Sequence, residues 1–323
     1  DMVPYLGLRY PASDIPEQAR KLYVDNILRA VADVDAEPSP LLTERDGANG
    51  GGRAAALNLG FANLRAVSPV HLQYMRNMGV SASLTGSVLV NGRLWGLAAC
   101  HHRTPRLIPP AARPAFAAAV TAAAAAIARI EAERAAALQK RVAGRLKRID
   151  EILGRDSENI ALRLLTDDPG LGDLAGADGA ALAVGGRVLT FGVSPDVDAV
   201  RALAARLGDC GGDTLCDDHL SARSDAAGLN LGPAAGMLAT ATRSVNGSAL
   251  SLLAFRGELV REVFWGGDPH KPVSLDGAQL EPRNSFSLWR ETVTGRSREW
   301  DDDGVSGWRG LKTLMEARFD PAA

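Results

Sequence analysis

Cysteine is scarce in this 323-residue chain: Cys100, Cys210 and Cys216 are too few and too irregularly spaced for a disulfide framework or a four-ligand zinc site, and they fit a reducing compartment. Charge of one sign is missing as well. With 36 basic and 38 acidic side chains the formal net charge is -2, which gives no electrostatic case for nucleic acid or an anionic membrane as partner. No uninterrupted apolar run reaches the ~18 residues of a membrane span, and no charged-then-apolar leader opens the chain, so the expected location is the cytoplasm. A serine elbow, a Walker loop and a dinucleotide glycine fingerprint are all lacking. GANGGG (residues 47–52) has neither the strand before it nor the helix after it that a phosphate cradle needs. Hydrolysis and nucleotide chemistry are therefore unsupported, and no catalytic residue is assigned.

The chain does have enough apolar residues, 46%, to bury two cores. Its opening, MVPYLGLRYPASDIP, reads as the middle of a domain, which predicts a truncated N-terminus. Residues 13–29 have helical spacing at Ala19, Leu22, Ile27 and Leu28, with Ser13 or Asp14 as the cap and Pro16 in the first turn. From Ser81 to Cys100 the pattern alternates around Asn91-Gly92, a dipeptide suited to a two-residue hairpin turn. Between Pro114 and Leu153 apolar residues recur three, four, seven or eight apart, with no proline inside. One long amphipathic helix is expected, of roughly 60 Å, suited to connecting two domains or pairing with a second subunit. Strand and turn chemistry then restarts: ALAV, Gly185-Gly186, RVLTFG, a helix from Pro195 to Leu207, strands flanking Asn246-Gly247, and ELVREVFW. After Trp265 the chain turns rich in Gly, Pro, Arg and Asp through residue 300, either a functional excursion or a structureless one.

Taken singly, the chemical residues are modest. Asp14 reads first as a helix cap, and His71, among Val70, Leu72, Tyr74 and Met75, as a hydrogen-bonded core histidine. His101 and His102 are strand neighbours that point to opposite faces, which disfavours a shared metal ion. Cys100, in an apolar strand, is expected to be a buried, inert thiol.

Several strings together say more. YPASDIPEQARKLY, LRAVSPVHLQYMRNMGV and LWGLAACHH, in this order, resemble the pigment-binding GAF domain of phytochromes, and WGGDP, EPRNSF and Trp289-Arg290-Glu291 resemble the PHY domain with its tongue, a hairpin that folds back over the pigment. Where plant and cyanobacterial members carry an attachment cysteine, Val70 precedes His71, which makes the resemblance one to bacteriophytochromes. That resemblance implies biliverdin as the cofactor, with the attachment cysteine outside this chain. It implies that Asp14 contacts the pyrrole nitrogens through its carbonyl and the tongue through its carboxylate. Tyr10 and Tyr23 would line the D-ring pocket, and Arg29 and Arg65 would pair with the two propionates. Ser83 and Thr85 would support a propionate, His71 would sit beside the pyrrole nitrogens, and His101 would hydrogen-bond the D-ring carbonyl. Ile15, Pro16, Ser68 and Tyr74 would complete the lining, with Arg283, Ser285 and Trp289 as tongue contacts.

The expected architecture is mixed α/β (α+β): two GAF-like domains with antiparallel sheets joined by a long connecting helix. Residues 1–110 would be an incomplete GAF domain, 111–154 the connector, and 155–323 a PHY domain with its tongue at about 265–300. The implied role is red and far-red light sensing, in a homodimer paired through helices, with output to a downstream histidine kinase and response regulator. The competing reading is a pigment-free GAF regulator that binds a small molecule such as a cyclic nucleotide.

Overall fold

The structure, a computed structural model, describes residues 5–40, 59–62, 65–154, 160–166, 170–209, 214–243, 249–270, 275–276, 279–280 and 283–319. They divide into two compact units, Asp1–Ala132 with Val263–Glu291, and Glu133–Glu262 with Thr292–Ala323. GANGGG, Asn246-Gly247 and Cys210 lie outside the described residues.

The first unit opens on a 3-10 turn, Ala12–Asp14, and helix α1, Glu17–Asp25. The single helix expected over 13–29 therefore splits and stops early. Its N-cap is Pro16, whose ring-fixed φ suits a helix entry, and the Asp14 side chain is spent elsewhere. At the far end buried Asn26 leaves the helical path at φ -125° and ψ 99°, and its side-chain amide donates to the Gly60 carbonyl. The chain beyond it is extended, so Leu28 belongs to a strand, β1 (Leu28–Val31).

Helix α2 (Pro69–Asn77) starts on a proline, which loses no hydrogen bond in a first turn. Strands β2 (Ala82–Val90) and β3 (Arg93–His102) then form the expected hairpin, with Asn91 at φ 51° and Gly92 at φ 74°, the pair of positive values that matches strand twist. The three strands lie in the order β1-β2-β3, all antiparallel. Val88 packs with Val120 and Ala124 of helix α3 (Ala112–Leu153), while Val34, Met75 and Val80 form a second cluster that holds α2.

Helix α3 runs unbroken from Ala112 to Leu153, through Gly144, as the spacing predicts. By length and composition alone it is also apolar enough to cross a membrane, although only 11% of its most apolar window is buried. Averaging over alanine, threonine and occasional charges reveals this where counting uninterrupted apolar residues does not.

The second unit adds α4 (Ile160–Thr166), α5 (Leu171–Ala175), β4 (Gly179–Val184), β5 (Arg187–Gly192), α6 (Val197–Asp209), β6 (Leu215–Asp217), β7 (Ala234–Arg243) and β8 (Ala249–Gly257). Its antiparallel sheet has the order β5-β4-β8-β7-β6. Alternation along each strand supplies both faces. Leu182, Leu238, Leu252 and Ala254 meet Ile149 of α3, α5, and Trp308 and Leu311 of α7 (Asp302–Phe319). Ala181, Met237, Leu253 and Phe255 meet Val200 and Leu203 of α6. Strand β9 (Arg261–Gly266) pairs with β12 (Leu288–Val293), and between them β10 (Leu275–Asp276) pairs with β11 (Gln279–Leu280), so the excursion after Trp265 is built on paired strands.

Candidate functional site

In the first unit, Arg29 faces Thr85, which faces Ala99, and Val31 faces Ser83, which faces His101. Cross-strand partners share a face and so do alternate residues, so Arg29, Thr85, Ser83 and His101 form one surface, with Leu84, Gly86 and Val88 turned to the other. The Ser83 and Thr85 hydroxyls are buried and 3.3 Å apart.

Arg29 lies close to Arg65. Burial lowers the Arg29 pKa and the Arg65 charge lowers it further, with Tyr23 opposing. Arg29 Nη2 and Arg65 Nε are buried without a hydrogen-bond partner among the described residues. A guanidinium is an always-charged fork of donors, so two side by side with unanswered N–H groups suit carboxylate or phosphate oxygens. Burial raises the pKa of the nearby Tyr23 and keeps its phenol protonated.

Helix α2 contributes His71 and Tyr74, whose rings stack at 6.5 Å and 9°. His71 is exposed to solvent on one side, and partial desolvation by the protein around it lowers its pKa first, with proximity to His101 lowering it further. Burial lowers His101 in the same direction, so both imidazoles are held neutral. Tyr5 places its ring edge-on to Tyr10 and to His101, at 6.3 Å each. The Tyr10 hydroxyl is buried and has no hydrogen-bond partner among the described residues.

Residues from the β9 to β12 stretch close one side of this surface. Arg9 N–H donates to the Phe264 carbonyl at 2.8 Å and Gly266 N–H returns the bond to Arg9 at 2.9 Å. A Cβ at Gly266 would fall 2.5 Å from Cε1 of Tyr10, so only glycine leaves room for that ring. Asp14 Oδ2 accepts the Tyr74 hydroxyl at 3.1 Å, and Oδ1 lies 3.5 Å from Nε of Arg283, with the two charged side chains 7% and 11% exposed. Arg283 Nη1 also donates to the Gly266 carbonyl at 2.9 Å. Burial raises the Asp14 pKa, opposed by Arg283 and by the Tyr74 hydrogen bond, and Tyr74 is itself raised by burial and by the Asp14 charge. Phe286 meets Tyr74 edge-on at 5.1 Å.

Of the residues singled out from the sequence, Tyr10, Asp14, Tyr23, Arg29, Arg65, His71, Tyr74, Ser83, Thr85, His101 and Arg283 thus fall within this one unit. Ile15 is 39% exposed and Pro16 caps α1. Ser68 is the N-cap of α2 without a side-chain cap bond. Ser285 contributes its carbonyl against Gly267, and Trp289 is 42% exposed on β12. Two expectations are corrected. The Asp14 carboxylate holds Tyr74 and Arg283 and caps nothing. Cys100 is exposed, on β3, one of the two edge strands of the sheet, and as the strand neighbour of His101 it points to the other face. Sequence reasoning passed over Tyr5, Asn77 and Gly266. A glycine doublet beside an aromatic, WGG, was the available sign for the last.

The family models for the GAF domain and for the Phytochrome region match residues 4–130 and 146–320. A bacteriophytochrome of Xanthomonas campestris pv. campestris is 37% identical over 98% of this chain and 50% of its own length. One from Pseudomonas aeruginosa is 34% identical over 100% of this chain and 44% of its own. The chain therefore spans about half the length of these relatives. Among solved structures, a bacteriophytochrome from the photosynthetic bacterium R. palustris superposes with a TM-score of 0.74 at 31% identity, covering 100% of this chain and 64% of that one. The Stigmatella aurantiaca phytochrome photosensory core module does so with a TM-score of 0.74 at 32% identity, over 99% and 63%.

Proposed function

This chain belongs to the phytochrome family, and on that premise we propose that its first unit holds a bilin and that the protein senses red and far-red light. The observation that carries the reading is the Arg29 and Arg65 pair, with buried donors unanswered among the described residues, on a surface that also offers two neutral histidines, two hydroxyls and several tyrosines. A bilin has two propionates, a polar array of pyrrole nitrogens and long apolar edges. Arg29 and Arg65 would bind the propionates, with Ser83 and Thr85 supporting one of them. His71 and the Asp14 carbonyl would face the pyrrole nitrogens, and His101, Tyr10 and Tyr23 would surround the D-ring. The neutral state of His101 leaves it able to donate one hydrogen bond to a carbonyl without a buried charge. Ile15, Pro16, Ser68 and Tyr74 would fill the remaining walls.

Biliverdin is the bilin this reading favours. No cysteine of the site is assigned as its attachment point, because Cys100 faces away from His101. When bound, the pigment supplies the light absorption and the double-bond isomerisation. The chain supplies the anchors, the hydrogen bonds that change with isomer, and the Arg283 stretch as a two-state tongue. Residues 1–110, 111–154 and 155–323 would then be the GAF domain, the connecting helix and the PHY domain. Output through paired helices of a homodimer to a histidine kinase, in the cytoplasm, completes the proposal.

The test is pigment binding by the intact protein. Biliverdin titration should show Arg29→Met and Arg65→Met each weakening uptake by about tenfold or more, the scale of a lost charge-assisted bond of ~1.5–3 kcal/mol. Unchanged affinity in both variants, or tighter binding of a cyclic nucleotide than of biliverdin, would point to the pigment-free regulator instead.

A further inference from the structure

Helix α2 ends on Asn77, a neutral residue that neither packs in a cluster nor belongs to the group around Asp14. Its side-chain amide donates twice, to the backbone carbonyl of Arg283 at 2.9 Å and to Oδ1 of Asn284 at 2.8 Å. Its own Oδ1 accepts from Nε2 of Gln73, one turn earlier, at 2.8 Å. The Arg283 carbonyl can only accept, which fixes Nδ2 toward the partner segment, and the Gln73 and Asn284 amides complete the arrangement with Oδ1 accepting and Nδ2 donating. The amide is therefore oriented by three mutually consistent bonds. We propose that Asn77 is a positioning residue that latches the backbone of residues 283–284 to helix α2, and so sets how readily the tongue leaves the conformation seen here.

The chemistry separates this contact from the Asp14 ion pair. An ion pair reads the side chain of residue 283 and survives many backbone geometries, because a long arginine can follow. Asn77 reads the main chain. One short amide meets the carbonyl of 283 and the side chain of 284 together only for a narrow range of dihedrals between them, so a change of backbone conformation there breaks the latch. The same helix carries His71 and Tyr74. Tyr74 binds Asp14 and touches Phe286, so its face meets the segment at residues 283, 284 and 286. A tilt of α2 caused at His71 is thereby delivered to the tongue backbone through Asn77.

This inference rests on the light-sensing reading for its consequence, but its contact can be tested without pigment. In the intact pigment-free protein, Asn77→Asp, which replaces the donor with an acceptor facing two acceptors, should speed hydrogen exchange of the 283–287 amides about tenfold. Exchange across β2 and β3 should stay unchanged. Asn284→Ala should give a smaller increase, and Arg283→Ala should leave the Asn77→Asp effect intact because the main-chain acceptor remains. In the biliverdin-loaded protein, Asn77→Asp should alter dark relaxation several-fold with the resting absorption band in place. Unaltered exchange at 283–287, an increase spread through the whole unit, or an unaltered relaxation rate would overturn the latch. Failure of the unaltered protein to photoconvert would instead overturn the light-sensing reading, and the exchange result would still decide the contact.

Discussion

Asp14 and Arg283 show how burial changes the worth of an ion pair. An exposed pair contributes ~0–1 kcal/mol, whereas these side chains are 7% and 11% exposed, so removing one leaves a charge with little water to receive it. Asp14→Ala and Arg283→Ala should each impair photoconversion of the pigment-loaded protein, and the double variant should be little worse than either, because both remove one contact. Additive losses would show two independent roles. The histidines carry a pH consequence. Folding lowers the pKa of His71 and His101 below their ordinary 6.5, so the unfolded chain binds more protons and stability falls as pH drops from about 6.5 through the lowered values. Denaturant unfolding of the pigment-free protein between pH 7.5 and 5 should show this slope. It should flatten in the His71→Gln, His101→Gln double variant, and an equal slope would place the acid sensitivity elsewhere.

Among elements, legibility followed range. The hairpin at Asn91-Gly92 and the unbroken α3 were readable because a turn dipeptide and a helical stripe are local signals. The early stop of α1 was not, since it depends on Asn26 finding Gly60, 34 residues away. Asn77 lies inside the string LRAVSPVHLQYMRNMGV but carries no charge, and its partner Arg283 lies 206 residues on, so the string gave no sign of that contact. Exposure of Cys100 likewise depends on what lies beside β3, which an apolar string cannot say.

Arg256, near the end of β8, is a second case. Its side chain is 2% exposed, lies 4.1 Å over the Trp300 ring, and donates to the carbonyls of Gly176 at 2.9 Å, Ala175 at 3.2 Å and Glu299 at 2.7 Å. It therefore ties β8 to the end of α5 and to the chain entering α7. Arg256→Met should cost about 3 kcal/mol by orphaning these carbonyls, measured by denaturant unfolding of the second unit. A loss below about 1 kcal/mol would mean that water replaces the guanidinium.

At the scale of the molecule, the architecture of two antiparallel-sheet units and one long helix followed from the sequence, as did the family. The geometry adds how the site is assembled. Strand register gathers Arg29, Ser83, Thr85 and His101 on one face, α2 adds His71 and Tyr74, and the Arg283 stretch closes on Asp14. The central claim, that this surface holds a light-driven bilin coupled to that closure, is tested most directly by a difference spectrum of the intact protein loaded with biliverdin. Red illumination should lower a red band as a shifted band rises, and Arg283→Ala should reduce the difference amplitude at equal pigment occupancy. A loaded protein whose spectrum is the same before and after red light, or an Arg283→Ala variant with full amplitude, would contradict that claim.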